Sequence, residues 1–112
     1  MVRTASKNEL LPGTLDMLIL QTLTRGAMHG YGIAQHIQEI TEDVLQVEEG
    51  SLYPALQRLL IKGWVKAQWG TSQNNRRARY YTLTPAGRKQ LGIEAENFNR
   101  MMEAIARVMQ TA

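Results

Sequence analysis

Hydrophobic residues recur at helical spacing in the first half of the chain. A first set has steps of three and four residues: Leu11, Leu15, Leu18, Ile19 and Leu23. This spacing predicts a helix that starts at Thr14 and stops near Arg25-Gly26. A second set predicts another helix after a turn at the glycines that flank Tyr31: Ile33, Ile37 and Ile40. The ten residues at the start of the chain predict a flexible arm.

A third helical set begins near Ser51 and lies on one face: Leu52, Leu56, Leu59 and Leu60. Gly63 supplies a C-terminal stop for this helix. Pro54 would break a helix interior, but the first turn tolerates it because an amide there has no acceptor within the helix. We therefore expect the helix to start at Gly50 or Ser51, with the Ser51 hydroxyl as its cap.

After Gly63 the spacing changes from helical to alternating. Val65, Ala67 and Trp69 alternate with polar residues, and a second short run covers residues 80–83, so this part of the chain predicts two strands. The turn-forming residues 70–75 join them into a β-hairpin, with three basic side chains at its base. These are Arg76, Arg77 and Arg79.

A long last helix is predicted from Pro85 to about Met109. Thr84 and Pro85 favour a helix start, because threonine caps helices and proline suits the first helical position. Along this helix a heptad seam recurs at steps of four and three: Leu91, Ala95, Phe98, Met102, Ile105 and Met109. We expect a second copy of the chain to cover the seam, because no other element of the sequence is left to do so.

The predicted elements define a mainly α fold with a small β-hairpin, an α+β arrangement. Three helices followed by a hairpin is the element order of a winged helix-turn-helix, in which the third helix enters the major groove of DNA. We expect a single domain over residues 1–112. Within it, residues 10–84 form the winged helix-turn-helix, and residues 85–110 form a C-terminal dimerisation helix.

Charge is segregated along the sequence, although the net charge is only +3. Residues 50–93, which we call the basic segment, contain eight basic and no acidic side chains, whereas the rest of the chain has five basic and ten acidic ones. Such a distribution favours a surface that binds a polyanion such as double-stranded DNA. The alternative is a solvated basic face that has no partner.

Candidate DNA contacts lie on the third helix, opposite its leucines, and on the hairpin. They are Ser51, Tyr53, Pro54, Gln57, Arg58, Lys62, Lys66, Arg76, Arg77 and Arg79. Arg58 and Gln57 have donors for the edges of guanine or adenine, whereas the lysines and the hairpin arginines suit phosphates. For Arg58, the alternative is an ion pair with Glu48 or Glu49.

Two other kinds of partner compete with double-stranded DNA. A winged-helix module that binds another protein would have a mixed or hydrophobic recognition face, and here we expect a uniformly basic one. RNA is a weaker rival, because a helix does not fit the deep, narrow groove of A-form RNA.

Four parts of the sequence resemble the PadR family of transcriptional regulators, particularly its short, acidobacterial-type subclass with a single C-terminal helix. They are residues 13–16, 29–32, 49–59 together with 63–65, and 77–87. The resemblance covers residues 10–110. It implies a repressor that binds an inverted repeat as a homodimer through its C-terminal helices. It also implies that an effector or a stress releases the DNA.

Two roles are open for the aromatic residue in the heptad seam. Phe98 either packs between subunits or lines, with Met101 and Met102, an adaptable apolar pocket for a small hydrophobic effector. The candidate residues for the dimer interface and this pocket are Leu91, Ala95, Phe98, Met101, Met102, Ile105 and Met109.

The sequence argues against other classes of protein. It has no cysteine, which excludes disulfides and cysteine-ligated metals. His29 and His36 lie outside any metal-ligand pattern, and no catalytic or nucleotide-binding motif is present. We therefore expect no enzyme, metal or cofactor. The start of the chain has no signal-peptide pattern, and the longest apolar run, residues 17–20, cannot span a bilayer, so we expect a cytoplasmic protein without membrane contact.

Overall fold

The structure is a computed structural model that describes residues 13–111. The predicted N-terminal arm, residues 1–10, lies outside this range. The elements within the range are α1 (Thr14–Thr22), a 3-10 turn (Leu23–Arg25), β1 (Met28–His29), α2 (Gly30–Ile40), α3 (Glu49–Ile61), β2 (Val65–Thr71), β3 (Arg77–Leu83) and α4 (Pro85–Gln110). They confirm the mainly α fold with a small sheet and a long last helix.

The hydrophobic core lies between α1, α2 and α3 and extends to the sheet and the start of α4. Its buried apolar residues on the three helices and the 3-10 turn are Leu15, Ile19, Leu20, Leu23, Ile33, Ile37, Leu52, Ala55, Leu56 and Leu59. The helical spacing in the sequence therefore predicted most of these buried residues, although Leu18 and Leu60 are half-buried and Leu11 lies outside the described residues. Ile40 is 66% exposed rather than buried, because it ends α2.

The start of α2 differs from the prediction. The glycines that flank Tyr31 form the first turn of the helix rather than a turn before it. The reason is a side-chain cap, since His29 Nδ1 accepts a hydrogen bond from the Gly32 N–H at 2.9 Å. This bond satisfies an amide that would otherwise have no acceptor, and it lets the helix begin at Gly30.

The sheet has three strands where the sequence predicted two. Its order is β1-β3-β2, and both pairs are antiparallel. Strand β1 contains only Met28 and His29, which lie opposite Tyr81 and Tyr80 of β3. Two residues are too few to produce a visible alternation, so this strand could not be recognised from the sequence.

Helix α3 begins earlier than predicted, and Ser51 is not its cap. The N–H groups of Ser51 and Leu52 both donate to the Glu48 carbonyl, at 3.0 and 2.8 Å, which fixes Glu48 as the cap residue. Pro54 consequently lies in the second turn, where it leaves the Gly50 carbonyl without a helical donor. Because Gly50 is exposed, water can hydrogen-bond to this carbonyl instead.

The predicted end of α3 at Gly63 is confirmed. Gly63 has a left-handed φ of 76°. Its N–H donates to the Leu60 carbonyl, and the N–H of Trp64 donates to the Leu59 carbonyl, both at 3.0 Å. These two bonds form a Schellman motif, which glycine favours because it has no Cβ.

The start of α4 also agrees with the prediction. The Thr84 hydroxyl accepts from the Gly87 N–H at 3.0 Å and donates to the Gly63 carbonyl at 2.7 Å. Pro85 occupies the first helical position. Leu91 is buried in the chain's own core, whereas every residue from 96 to 110 is exposed. The second half of α4 therefore extends away from the rest of the fold.

Two structural findings bear on the expected exclusions. No helix between residues 13 and 111 is long and apolar enough to cross a membrane. In the same part of the chain, no group of three or more histidine, aspartate or glutamate side chains is arranged to hold a metal ion.

Candidate nucleic-acid interface

Helix α3 turns its leucines inward and leaves its other side in solvent. Leu52, Ala55, Leu56 and Leu59 are at most 1% exposed, so the opposite side is accessible along the whole helix. The candidate contact residues of this helix and its C-terminal end are all exposed: Ser51, Tyr53, Pro54, Gln57, Arg58 and Lys62. The orientation that DNA binding requires is therefore present.

The outermost row of α3 is uncharged, which differs from the expected uniformly basic face. At 100° per residue, the positions furthest from the buried side are Gly50, Pro54, Gln57 and Ile61. Ile61, the large hydrophobic residue of this row, is 75% exposed. The cations Arg58 and Lys62 lie on one flank of this row. The recognition surface thus has an uncharged centre with basic side chains along its edge.

Arg58 forms an ion pair with α1. Its Nη2 lies 2.7 Å from Asp16 Oδ1, and its Nε lies 3.4 Å from Asp16 Oδ2. The hydrogen bond to Asp16 raises the pKa of Arg58. The alternative partners considered for Arg58, Glu48 and Glu49, are therefore wrong, because the carboxylate comes from another helix.

Tyr53 contacts the first turn of α2. A Cβ at Gly30 would lie 3.0 Å from the Tyr53 ring, so the absence of a side chain at Gly30 makes room for this aromatic residue. Burial, and to a lesser extent the negative charge of Glu49, raise the pKa of Tyr53. The phenol is therefore protonated at neutral pH, and it is available as a hydrogen-bond donor on an exposed edge of the helix.

The hairpin of β2 and β3, which we call the wing (residues 65–83), is longer than predicted. Its register runs from Val65 opposite Leu83 to Thr71 opposite Arg77, and residues 72–76 form the connecting loop. Arg76 and Arg77 are consequently at the tip and Arg79 lies midway along β3, opposite Trp69, so the predicted position of all three at the base is wrong. The strands extend beyond the core, which the short hydrophobic runs did not indicate.

Two arginines of the wing and one lysine near the wing form cation–π contacts with aromatic rings. The Arg77 guanidinium lies 4.4 Å from the centroid of Trp69, which is itself 56% exposed. Arg79 lies 6.0 Å from Tyr81, and Lys62 Nζ lies 4.7 Å from Trp64. Contacts of this kind restrict a cation without neutralising its charge.

The basic segment has little internal neutralisation. Arg58 is the one cation of this segment that forms an ion pair with a described residue. The others remain available for an external anion: Lys62, Lys66, Arg76, Arg77, Arg79, Arg88 and Lys89. Unpaired cations around an exposed helix and a hairpin are what binding to a nucleic-acid backbone requires.

The exposed half of α4 has an apolar face. Phe98, Met102 and Ile105 are between 39% and 46% exposed, and Met101 and Met109 more so. Ala95 is half buried, and Leu91 belongs to the chain's own core. The candidate interface thus starts at Ala95, whereas the predicted seam starts at Leu91, the seam residue before it.

Two residues of this site are not among those proposed from the sequence: the buried Asp16 and the exposed Trp69. Asp16 is not among the candidate residues above, although a single acid between Leu15 and Met17 in an apolar helix suggests a buried partner. Trp69 shares the alternation of Val65 and Ala67, a pattern that is typical of residues packed against the core. Its exposure could be recognised only from how far the strands extend beyond the core.

Comparisons with known proteins agree with this geometry. The model of the transcriptional regulator PadR-like family matches residues 19–93. A transcriptional regulator from Clostridium thermocellum is 30% identical and has a TM-score of 0.78, with 85% of this chain and 92% of that one covered. A PadR family transcription regulator from hypervirulent Clostridium difficile is 28% identical with a TM-score of 0.75, covering 87% and 99%. An uncharacterised protein from Lysinibacillus sphaericus is 28% identical over 93% of this chain and 95% of its own.

A helical body that exposes its third helix beside a cationic hairpin defines the winged helix-turn-helix class of DNA-binding proteins. The chain belongs to the PadR-like family of transcriptional regulators, as the sequence resemblance indicated. It is therefore a DNA-binding regulator and not an enzyme.

Proposed function

We propose that the protein is a repressor that binds an inverted-repeat operator as a homodimer. The observation that carries this proposal is the exposed side of α3 beside the wing, within a basic segment that contains no acidic residue. Two such surfaces related by a two-fold axis would bind two half-sites with the same symmetry. A regulator of this kind works in the cytoplasm, where the chromosomal DNA of a bacterium lies.

The contacts divide into base reading and backbone positioning. Arg58 and Gln57 read base edges in the major groove, because both can form paired hydrogen bonds with a purine. Ser51 and Tyr53 lie near the start of α3 and donate to phosphate or base, and Pro54 packs against the floor of the groove. The remaining cations bind phosphates: Lys62, Lys66, Arg76, Arg77 and Arg79.

Dimerisation would occur through the apolar face of α4. Ala95, Phe98, Met102, Ile105 and Met109 follow a heptad spacing, and an exposed stripe of this kind is stable in water when a second helix covers it. A small hydrophobic effector would bind beside Phe98, Met101 and Met102. Its binding would release the DNA by changing the distance between the two α3 helices.

A protein-binding module is the second candidate, and the uncharged row on α3 favours it. Gln57 and the 75% exposed Ile61 would suit a protein partner as well as the floor of a groove. A titration at several salt concentrations separates the two functions. Phosphate neutralisation makes the logarithm of the affinity fall linearly with the logarithm of the salt concentration. A flat response would favour the protein partner.

Replacing Arg76 and Arg77 at the wing tip by alanine is expected to weaken binding to every duplex sequence. Each lost phosphate contact should lower the slope of log affinity against log salt by about one unit. Replacing Arg25 and Arg107 by alanine is the matched control, because it removes the same charge outside the basic segment. If the wing variant kept the wild-type slope, the wing would not contact the backbone.

Replacing Arg58 by alanine is expected to cost about 1–3 kcal/mol of operator binding and to relax the preference at one base pair. The measurement is the ratio of affinities for the operator and for operators substituted at single positions. This ratio is insensitive to a partly unfolded sample, which matters because the variant leaves Asp16 buried without its cation. A uniform loss over all positions would contradict the base-reading role and favour a phosphate contact.

A further inference from the structure

Asp16 is an unusual residue for the interior of a small protein. It lies in the first turn of α1 and is 6% exposed, beside apolar side chains of the core. A buried carboxylate is costly unless it is paired. Its partner, Arg58, comes from the recognition helix 42 residues later in the chain, and the Arg58 side chain remains 49% exposed.

The geometry of the pair leaves half of the guanidinium free. Asp16 occupies the side of the group formed by Nε and one N–H of Nη2. Arginine has five N–H donors in a fixed plane, so both N–H groups of Nη1 and the second of Nη2 remain available. These donors form the outer edge of the guanidinium, which matches the O6 and N7 acceptors of guanine. Arg58 has no second protein partner among residues 13–111.

Stability alone does not account for this arrangement. A buried ion pair is often no more stabilising than well-packed apolar side chains of the same volume. A long side chain fixed at one edge, however, loses less conformational freedom when its other edge binds a ligand. The pair therefore affects the conformation of the Arg58 side chain in the unbound protein more than it affects the stability of the fold.

We propose that Asp16 is a positioning residue for base selectivity: it holds Arg58 against α1 so that the free edge of the guanidinium meets a guanine in the major groove. This inference rests on the proposed function, and specifically on the contact between Arg58 and a base. Asp16 itself never touches DNA. It acts through the orientation of Arg58, and its own negative charge weakens general attraction to the backbone.

These two effects of Asp16 have opposite signs, which makes the inference testable. Asp16→Asn keeps the size of the side chain and removes its charge. Binding to unrelated DNA should stay equal or become tighter, because one repulsive charge is lost. Binding to the operator should become less selective, because Arg58 is less firmly held. We expect the ratio of operator affinity to unrelated-DNA affinity to fall about two- to tenfold.

The experiment uses the full-length protein and two duplex probes. One is the duplex that wild-type protein selects from a randomised pool, and the other is a shuffled duplex of the same length and composition. Affinities are measured for wild type, Asp16→Asn, Arg58→Ala and the double variant. Thr22→Val is the matched control for lost stability. It removes another partly buried side-chain hydrogen bond of α1, from the Thr22 hydroxyl to the Leu18 carbonyl, without touching Arg58.

The inference predicts a lower ratio for Asp16→Asn, no further fall when Arg58 is already alanine, and a wild-type ratio for Thr22→Val. An unchanged ratio in Asp16→Asn would overturn it, and so would a loss that persists in the Arg58→Ala background. A fall in Thr22→Val equal to that in Asp16→Asn would assign the effect to stability and overturn it as well. If wild type itself bound both duplexes equally, the proposed function would fail instead.

Discussion

Replacing Gly87 by alanine is expected to lower the free energy of unfolding by about 3 kcal/mol or more. Gly87 is buried in the first turn of α4, and a Cβ there would overlap the backbone carbonyl of Trp64. That carbonyl cannot easily move, because it accepts a hydrogen bond from the Thr84 N–H at 3.1 Å. The same Cβ would lie 2.9 Å from Leu83. Urea denaturation followed by circular dichroism measures the loss.

Gly92→Ala is the matched control for this prediction. Gly92 lies one and a half turns later in the same helix, and a Cβ there would meet nothing within 4 Å. Alanine is the better helix former, so this variant should be more stable than wild type by about 1 kcal/mol. If both substitutions changed stability by the same amount, the close approach of α4 to Trp64 would not exist.

The contact at Gly87 also connects stability with DNA binding. It joins the start of α4 to Trp64, directly after the recognition helix and before the wing. The direction in which α4 leaves the fold is therefore fixed relative to α3 by backbone packing. In the proposed dimer, this direction sets the distance between the two recognition helices and thus the spacing of the half-sites.

Elements that depend on local chemistry could be predicted from the sequence. The start of α4 follows from a capping hydroxyl before a proline, and the end of α3 follows from a glycine that takes a left-handed conformation. The helical faces follow from the spacing of leucine and isoleucine. Each of these signals lies within a few residues of the structure that it predicts.

Features that depend on distant residues could not be predicted. Strand β1 forms because Met28 and His29 meet Tyr81 and Tyr80, and two residues carry no periodic signal of their own. The ion pair between Asp16 and Arg58 joins two helices through residues that are 42 positions apart in the sequence. The position of the wing arginines depends on the register and length of β2 and β3. The sequence pattern predicted both strands several residues too short.

The uncharged row on α3, by contrast, follows from the helical spacing of the buried leucines and could have been predicted from the sequence. The sequence identified the exposed side of the helix, but it did not show that Arg58 leans towards α1. Pro54, Gln57 and Ile61 occupy the outermost positions by their helical angle, and the ion pair with Asp16 keeps the Arg58 side chain at the flank. A regulator built in this way would combine electrostatic affinity from its edges with selectivity from few side chains, of which Arg58 has the most donors.

Phe98→Glu is expected to convert the proposed homodimer into monomers and to lower operator affinity about a hundredfold or more. Phe98 is 39% exposed in the single chain and lies in the middle of the heptad spacing. A partner helix would bury the new carboxylate among apolar residues without a cation, which disfavours association. A monomer reaches one half-site, so it loses the gain from binding two linked sites. Sedimentation velocity gives the oligomeric state, and a titration with the selected duplex gives the affinity.

Asn99→Glu is the matched control, because it adds the same charge one residue later, about a quarter turn from the apolar face. It should remain dimeric and bind the operator nearly as well as wild type. Thermal unfolding provides a second measurement, since a dimer melts at a higher temperature as its concentration rises and a monomer does not. A dimeric Phe98→Glu variant would place the interface elsewhere. A wild-type protein whose melting temperature did not depend on concentration would remove dimerisation from the proposal altogether.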